Sequence, residues 1–298
     1  MENLGLHRYS YVLAAFTLFL VVAGASVTSN DAGLSVPDWP LSYGKVMPEM
    51  RGGIFYEHGH RMVATAVGFL TVILAVWLWF AEPRRWMRRL GLAALGAVVV
   101  QGVLGGLTVI YLLPKAVSVS HACLAQLFFS TTVAIAVFTS PSWKRGPEIV
   151  EDAGTPSLRS LAVLATAAVF VQIALGAAYR HKALGLIPHV VGALVVTGVV
   201  LLVSLFALTQ FPNHAALRRW SHVPLGIALA QVFLGIAAYM ARITYADSPQ
   251  PSAVMVLFTV LHVATGALTL AFSLTLAIQV FRNVRRVETQ PESVTAIP

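Results

Sequence analysis

The sequence is poor in cysteine and in charge. Cys123 is the single cysteine among 298 residues, so no intramolecular disulfide can form, and we expect this thiol to be a small apolar filler inside a span. Charged residues make up only 11% of the chain, hydrophobic residues make up 57%, and the mean hydropathy is +0.77. Because soluble domains carry roughly 25% charged residues, this composition excludes a soluble enzyme and predicts a polytopic membrane protein.

Long hydrophobic runs take the place of the missing charge. Runs of about twenty residues, the length that crosses ~30 Å of hydrocarbon, begin near Tyr9, Glu57, Leu90, Ser118, Leu158, Gly185, Val223 and Ala253. They predict an all-α integral membrane protein with eight transmembrane helices. No small-residue cleavage site follows the first run, so we expect it to be retained as a helix.

Acidic residues are fewer than basic ones, 12 against 20, and the basic excess is unevenly placed. If the N-terminus is inside, most lysines and arginines fall at the inner ends of the spans, and the positive-inside rule then predicts that both termini are cytoplasmic. The simplest location is a bacterial inner membrane. These arginines have no soluble face on which to bind nucleic acid. The inner residues are Arg8, Arg84, Arg85, Arg88, Arg89, Lys144, Arg145, Arg159, Arg218, Arg219, Arg282, Arg285 and Arg286.

A short pattern recurs in alternate spans. The sequence Gln-x-x-Leu-Gly occupies residues 101–105, 172–176 and 231–235, and the first span keeps only Gly24. Such internal repetition is typical of duplicated membrane folds. It predicts two tandem pseudo-symmetric four-helix bundles, residues 1–140 and 158–298, joined by a cytoplasmic linker at 141–157. The outer loop 30–56 is rich in proline, glycine and tryptophan, and loops of that length usually cover a site.

Four of the nine histidines lie in the second span of each pair of spans. His60, His121 and His189 are expected within the first turn or so of their spans, and His262 is expected deeper in its span. Histidine inside a membrane segment is costly and needs a partner. For one isolated histidine, a hydrogen bond between helices would be the first interpretation. Four at equivalent positions favour two hemes, each gripped by imidazoles from facing helices. Zinc is disfavoured because no cysteine or carboxylate cluster completes a tetrahedral set.

Other polar residues carry secondary expectations. The glutamines of the repeat are expected to hydrogen-bond between helices. The small residues three or four positions after each histidine are expected to leave clearance for a flat macrocycle. The remaining histidines of the tails and loops are expected to be solvated or interfacial. These small residues are Ala64, Ala125, Gly192, Ala193 and Gly266, and these histidines are His7, His181, His214 and His222.

Glu57 is the one carboxylate at the outer start of a span with a histidine three residues later, and it shares a helix face with His60. Two interpretations stay open: an acid that caps the helix N-terminus, or an acid–base or charge-stabilising group at a heme edge. Arg61 is expected to hold Glu57 or a heme propionate. Further candidates for propionate partners on the outer face are Arg51, Lys115, Arg180, Lys182 and Arg242.

The run from Gly33 to Leu41, with Asp38-Trp39-Pro40 at its centre, followed by Glu57-His58-Gly59-His60-Arg61, resembles the heme A synthase family. The resemblance covers roughly residues 8 to 285. It implies a membrane oxidoreductase that converts heme O to heme A, for terminal oxidases, by oxidising the C8 methyl to a formyl group.

The resemblance also implies roles for single residues. His60 and His121 would flank the substrate heme, His189 and His262 would bind a permanent heme b, and Glu57 would be the acid needed for turnover. The implied partners are heme O, membrane lipid, heme O synthase, cytochrome oxidase assembly factors and, for a homo-oligomer, a second copy of the chain. Many family members have a cysteine pair in the first outer loop, whereas this chain has Ser35 and Ser42 there, so a disulfide or thiol role does not apply.

Two other classes of function compete with this one. A diheme bis-histidine electron-transfer cytochrome predicts the same four ligands, but it does not predict Glu57 beside one pair only or the long loop over the first half alone. A heme or ion transporter would need polar breaks in mid-membrane, and the span centres are apolar apart from Gln101, Gln172 and Gln231.

Overall fold

The computed structural model describes residues 4–287, and this part of the chain is mostly helical. The helices are α1 (Leu4–Ser29), α2 (Gly53–Ala81), α3 (Arg85–Ile110), α4 (Lys115–Thr139), the single turn α5 (Pro141–Lys144), α6 (Leu158–Arg180), α7 (Leu186–Gln210), α8 (Ala215–Thr244) and α9 (Ala253–Asn283). All except α5 are long and apolar enough to cross a membrane. The predicted all-α membrane protein with eight spans is confirmed.

Several helices begin earlier than the hydrophobic runs predict. Helix α8 begins at Ala215 and not near Val223, and α3 begins at Arg85 and not near Leu90. Their first turns are polar, so a hydropathy window passes over them although the helix continues beyond the hydrocarbon layer. His60 and His121 also lie deeper than predicted, about two turns into α2 and α4, because these helices begin at Gly53 and Lys115; their predicted position within the first turn is wrong.

The helices pack as two groups of four. Helix α1 packs on α2 and α4, and α3 packs on the same two helices; α6 packs on α7 and α9, and α8 packs on the same two. Each group closes around its own core, with Leu13, Leu74 and Phe128 in the first and Leu161 and Leu276 in the second.

Contacts between the two groups run through α4 and α9. Helix α9 packs on α1 and α4, and α4 also packs on α6. Val21 and Phe129 of the first group meet Ala267 and Ala271 of the second. The alanines let the backbones approach closely, which is the main source of helix–helix attraction in lipid.

The linker after α4 contains more structure than a plain polar connector. Strand β1 (Val150–Asp152) pairs in parallel with β2 (Val284–Arg286), which follows α9, and Val150 is opposite Val284. The imidazole of His7, on α1, contacts the carbonyl of Ala136 at 3.2 Å near the end of α4. Residues 4 and 287 therefore lie at the same face of the molecule. That this face is cytoplasmic stays a prediction.

Two of the histidines predicted to be solvated or interfacial make specific contacts within the protein, and one of them is buried. His214 is only 4% exposed because the linker covers it: its Nε2 donates to the carbonyl of Glu148 at 2.9 Å, and its Nδ1 accepts the N–H of Leu217 as the N-cap of α8. His7 lies within α1 and is partly buried against α4. Sequence alone places neither contact, since both join segments more than sixty residues apart.

Asp152 connects the linker to the start of α6. Its side chain accepts the N–H groups of Leu158 at 2.7 Å and Gly154 at 2.8 Å, and the residue is 3% exposed. We expect Asp152→Ala to lower the free energy of unfolding by about 1–2 kcal/mol, because two largely buried N–H groups lose their acceptor. Glu151→Ala, an exposed change in the same strand, should cost less than about 0.5 kcal/mol. Thermal unfolding in detergent measures both, and equal effects would contradict this role.

Candidate functional site

Each of the four histidines singled out above packs against a glycine of the preceding span. A Cβ atom placed on that glycine would approach Cε1 of the imidazole to between 2.9 and 3.3 Å, so any larger residue would push the ring away. Three of these glycines end the Gln-x-x-Leu-Gly pattern, which explains their recurrence. The pairs are Gly24 with His60, Gly105 with His121, Gly176 with His189, and Gly235 with His262.

The glutamines of the repeat hold the histidine segments from the facing helix. Gln101 donates to the carbonyl of His121 at 2.9 Å, and Gln172 donates to the carbonyl of His189 at 2.8 Å. Gln231 Nε2 lies 3.5 Å from Nε2 of His262. The predicted hydrogen bonds between helices are therefore confirmed.

At two positions, the clearance beside the histidines has a different purpose from the one predicted. A Cβ on Gly192 would overlap Oε1 of Gln172, and a Cβ on Gly266 would lie 3.2 Å from Nε2 of Gln231. In the second group of helices, these small residues therefore make room for the glutamines. The expectation that they leave space for a macrocycle is wrong at these two positions, because the glutamine side chain occupies that face.

The histidines form two pairs. The rings of His189 and His262 have centroids 6.1 Å apart and planes at 87°. Two imidazoles on opposite sides of one metal ion have ring centres about 6 Å apart, because each metal–nitrogen bond is about 2 Å long and the nitrogen lies about 1 Å from the ring centre. His60 and His121 lie close enough to interact electrostatically.

The donor set of each pair fits an iron porphyrin. Nδ1 of His60, His121 and His262 is buried without a hydrogen-bond partner in the part of the chain that the structure describes, an arrangement that is costly unless a ligand is bound to the ring. Within residues 4–287 no group of three or more His, Cys, Asp or Glu side chains can hold a metal ion. Each pair thus offers two imidazoles that could hold a heme iron, and a porphyrin would supply the other ligands.

Glu57 lies one turn outward from His60 and is 4% exposed. Its Oε1 accepts a hydrogen bond from Nη2 of Arg61 at 2.7 Å, and its Oε2 accepts a hydrogen bond from the N–H of Val36 at 2.8 Å. The pairing with Arg61 confirms the prediction, whereas the Val36 contact is new. The helix-capping interpretation is wrong, because α2 begins four residues earlier, at Gly53, and has no side-chain cap.

Arg61 also fastens the outer loop, which occupies residues 30–52 because α2 already begins at Gly53. Its Nη1 donates to the carbonyls of Asp38 and Leu41, both at 2.8 Å. The Asp38 carboxylate in turn accepts the N–H groups of Gly44 and Tyr43, and these bonds hold the pKa of Asp38 below its ordinary value. The guanidinium of Arg61 thus binds the loop and Glu57.

Two loop contacts were not foreseen from the sequence. Ser42 Oγ lies 2.8 Å from Nδ1 of His58, and both residues are buried. The indole of Trp39 lies against Gly106, where a Cβ would come within 2.7 Å of the ring. Gly106 follows Gly105, which contacts His121, so the loop ends against the helix that packs on the first histidine pair.

The remaining cations that were predicted to pair with propionates differ in their partners. Arg51 forms an exposed ion pair with Glu49 at 3.3 Å, and Lys115 and Lys182 are exposed. Arg180 and Arg242 lie near the ends of α6 and α8. Arg180 donates to Ser29 Oγ at 2.9 Å, and Arg242 lies 5.5 Å from the centroid of the Tyr179 ring, which stacks on the ring of His189.

Comparison with known proteins shows the family to which the chain belongs. Residues 7–287 match the family described as cytochrome oxidase assembly protein. The chain belongs to this family. Among curated relatives, the heme A synthase of Symbiobacterium thermophilum is 31% identical to this chain over 59% of each of the two chains. It is 29% identical to the heme A synthase of Alkalihalophilus pseudofirmus, over 43% of this chain and 44% of the relative.

A third relative gives the same result at lower identity. The heme A synthase of Shewanella oneidensis is 28% identical over 54% of this chain and 52% of its own length. The chain spans between about two fifths and three fifths of the length of the curated relatives that it matches.

The Trp39 contact leads to a prediction. Gly106→Ala should displace the indole, because a Cβ there would collide with the ring, and should make the outer loop more accessible to protease. Gly102→Ala on the same helix is the control, since nothing lies within 4 Å of a Cβ at that position. We expect limited proteolysis to cut the loop about tenfold faster in Gly106→Ala, as for a cost of roughly 1.4 kcal/mol, and no faster in Gly102→Ala. Equal cleavage of the two variants would contradict the seating of Trp39.

Proposed function

We propose that the chain is a heme A synthase, an oxidoreductase that oxidises the C8 methyl of heme O to a formyl group. The observation that carries this proposal is the pair of histidine sites with unequal surroundings. Both pairs have glycine-backed imidazoles, but only the first has the outer loop and a buried carboxylate fastened to it. The curated relatives named heme A synthase support the same activity.

The two histidine pairs would divide the work between the two helix groups. His60 and His121 would hold the substrate heme, and His189 and His262 would hold a resident heme b, which supplies one-electron redox chemistry when bound. We place both termini in the cytoplasm of a bacterial inner membrane. The loop then lies on the outer side, where Trp39 on Gly106 helps to exclude water from the first pair.

Glu57 would act as a fixed negative charge. Both of its carboxylate oxygens already accept hydrogen bonds, one from Arg61 and one from Val36. A carboxylate held in this way is better suited to stabilising positive charge that develops on the substrate than to taking up a proton. Removing the charge should therefore slow the reaction without releasing the heme.

The alternative of a diheme electron-transfer cytochrome has less support. It accounts for the four imidazoles, but it gives no reason for a buried carboxylate and an ordered loop at one pair alone. Heme O synthase, oxidase assembly factors and a second copy of the chain are the partners that this proposal implies.

Product analysis tests the proposal. Protein purified from a host that makes heme O should contain heme A, which acid-acetone extraction and reverse-phase chromatography resolve. Glu57→Gln keeps an acceptor for the Val36 N–H, so we expect it to retain heme and to form about a hundredfold less heme A. Glu49→Gln, which changes an exposed carboxylate of the same loop, should behave as the unmodified chain. Finding only heme b and unreacted heme O would favour the cytochrome.

A second experiment tests the division between the two pairs. In a host that lacks heme O, His189→Ala and His262→Ala should lose nearly all heme b, because a resident heme loses an axial ligand. His60→Ala and His121→Ala should keep it, as should His222→Ala, an exposed control. The pyridine hemochrome spectrum gives heme per chain. Equal loss from all four ligand variants would remove the division of labour.

A further inference from the structure

Two arginines at the ends of α6 and α8 have no acidic partner at ion-pair distance in the part of the chain that the structure describes. Arg180 ends α6, and its one hydrogen bond within residues 4–287 goes to Ser29 Oγ. Arg242, in the last turn of α8, lies over the Tyr179 ring. The ion pairs of residues 4–287 include neither arginine. Their two positive charges repel each other, and Asp31 attracts Arg180 only from a longer range.

The helix positions direct both arginines to the same place. Arg180 lies four residues after Gly176, and Arg242 lies seven residues after Gly235, so each shares a helix face with the glycine that backs a histidine. At 1.5 Å per residue they are ~6 Å and ~10 Å farther toward the outer surface. Both arginines therefore lie between the glycines that back the imidazole pair and the C-terminal ends of α6 and α8.

A stack of rings connects one arginine to a ligand imidazole. The guanidinium of Arg242 lies 5.5 Å from the centroid of the Tyr179 ring, and that ring is nearly parallel to the His189 ring, with centroids 6.4 Å apart and planes at 8°. His181, which follows Arg180, responds to the same positive charge. Burial first, and then the charge of Arg180, lower the pKa of the His181 imidazole below its ordinary value.

The first helix group has no counterpart of this pair. Its glycines, Gly24 and Gly105, are followed at the equivalent distances of four and seven residues by Thr28 and Leu112. Thr28 Oγ1 contacts the carbonyl of Gly24 within its own helix, and Leu112 is exposed. Arg61, the cation nearest to His60 in sequence, is committed to Glu57 and the loop.

We propose that Arg180 and Arg242 form a carboxylate-binding site that anchors the propionate groups of the heme held by His189 and His262. The inference rests on the proposed function and deepens it. Guanidinium groups bind carboxylates through paired, charge-assisted hydrogen bonds, and two anionic groups on one edge of a heme neutralise two arginines that repel each other. The first pair lacks these contacts, so its heme exchanges while the second stays resident.

Heme transfer from the purified holoprotein to excess apomyoglobin tests the site. Arg180→Gln and Arg242→Gln should each release heme b about tenfold faster, since each loses a charge-assisted hydrogen bond, and the double variant should release it faster still. Arg242→Lys keeps the charge and should restore part of the retention. Thr28→Ala and Leu112→Ala, at the equivalent positions of the first group, should leave the rate within about twofold of the unmodified chain.

The midpoint potential separates charge from mere packing. Removal of a positive charge beside the heme should lower the potential in both glutamine variants, whereas Arg242→Lys should leave it close to the original value. Unchanged release and unchanged potential in the double variant would overturn the proposal.

Two further measurements distinguish whether the arginines bind the propionates of the heme or the phosphate group of a lipid. Protein loaded with the dimethyl ester of heme b should release it as fast with both arginines present as in the double variant. If the arginines bind a lipid phosphate instead, the variants will lose copurified phospholipid phosphorus and keep the heme, which contradicts the proposal. A chain that binds no heme with all four histidines intact would contradict the proposed function itself.

Discussion

The structure depends on one repeated contact, the edge of an imidazole against the backbone of a glycine on the facing helix. Because the glycine has no side chain, the two helices can approach so closely that a Cβ atom on the glycine would lie only 2.9 to 3.3 Å from Cε1 of the ring. Close approach of this kind is the main source of helix attraction in lipid. The same contact therefore packs the helices and fixes the direction of the histidine, so that fold and site have a common origin.

The glutamines extend this arrangement in three of the four copies. Gln101 and Gln172 satisfy carbonyl groups at the histidine positions, and Gly192 leaves the room that Gln172 needs. The first copy has Leu20 where the glutamine would stand, four residues before Gly24. The segment around His60 is instead held from outside, by the bonds that Glu57 and Arg61 make to the loop. We infer that loop and histidine position are coupled at the first pair only.

The sequence predicts most of what is local and periodic. The spans and repeats follow from hydrophobic length and internal similarity, and the pairing of Glu57 with Arg61 follows from their spacing of four. The depth of His60 and His121 does not, because their helices begin before the hydrophobic runs do. What the sequence cannot give are contacts between segments far apart in the chain. His214 with Glu148, Trp39 with Gly106 and Val36 with Glu57 depend on the paths of the linker and the outer loop, and those paths have no period from which to derive them.

The asymmetry between the two helix groups is the feature that a duplicated fold must acquire to become an enzyme of the proposed kind. Equivalent halves would bind two hemes equally, and no turnover would be possible if both stayed or both left. The positions after the shared glycines differ in the direction required: Thr28 and Leu112 offer an anion little, whereas Arg180 and Arg242 offer it two guanidinium groups. Arg180 also reaches across to Ser29 of the first group. The proposed anchoring of one heme would therefore be connected, through a single hydrogen bond, to the end of the helix that backs His60, where the other heme would be exchanged.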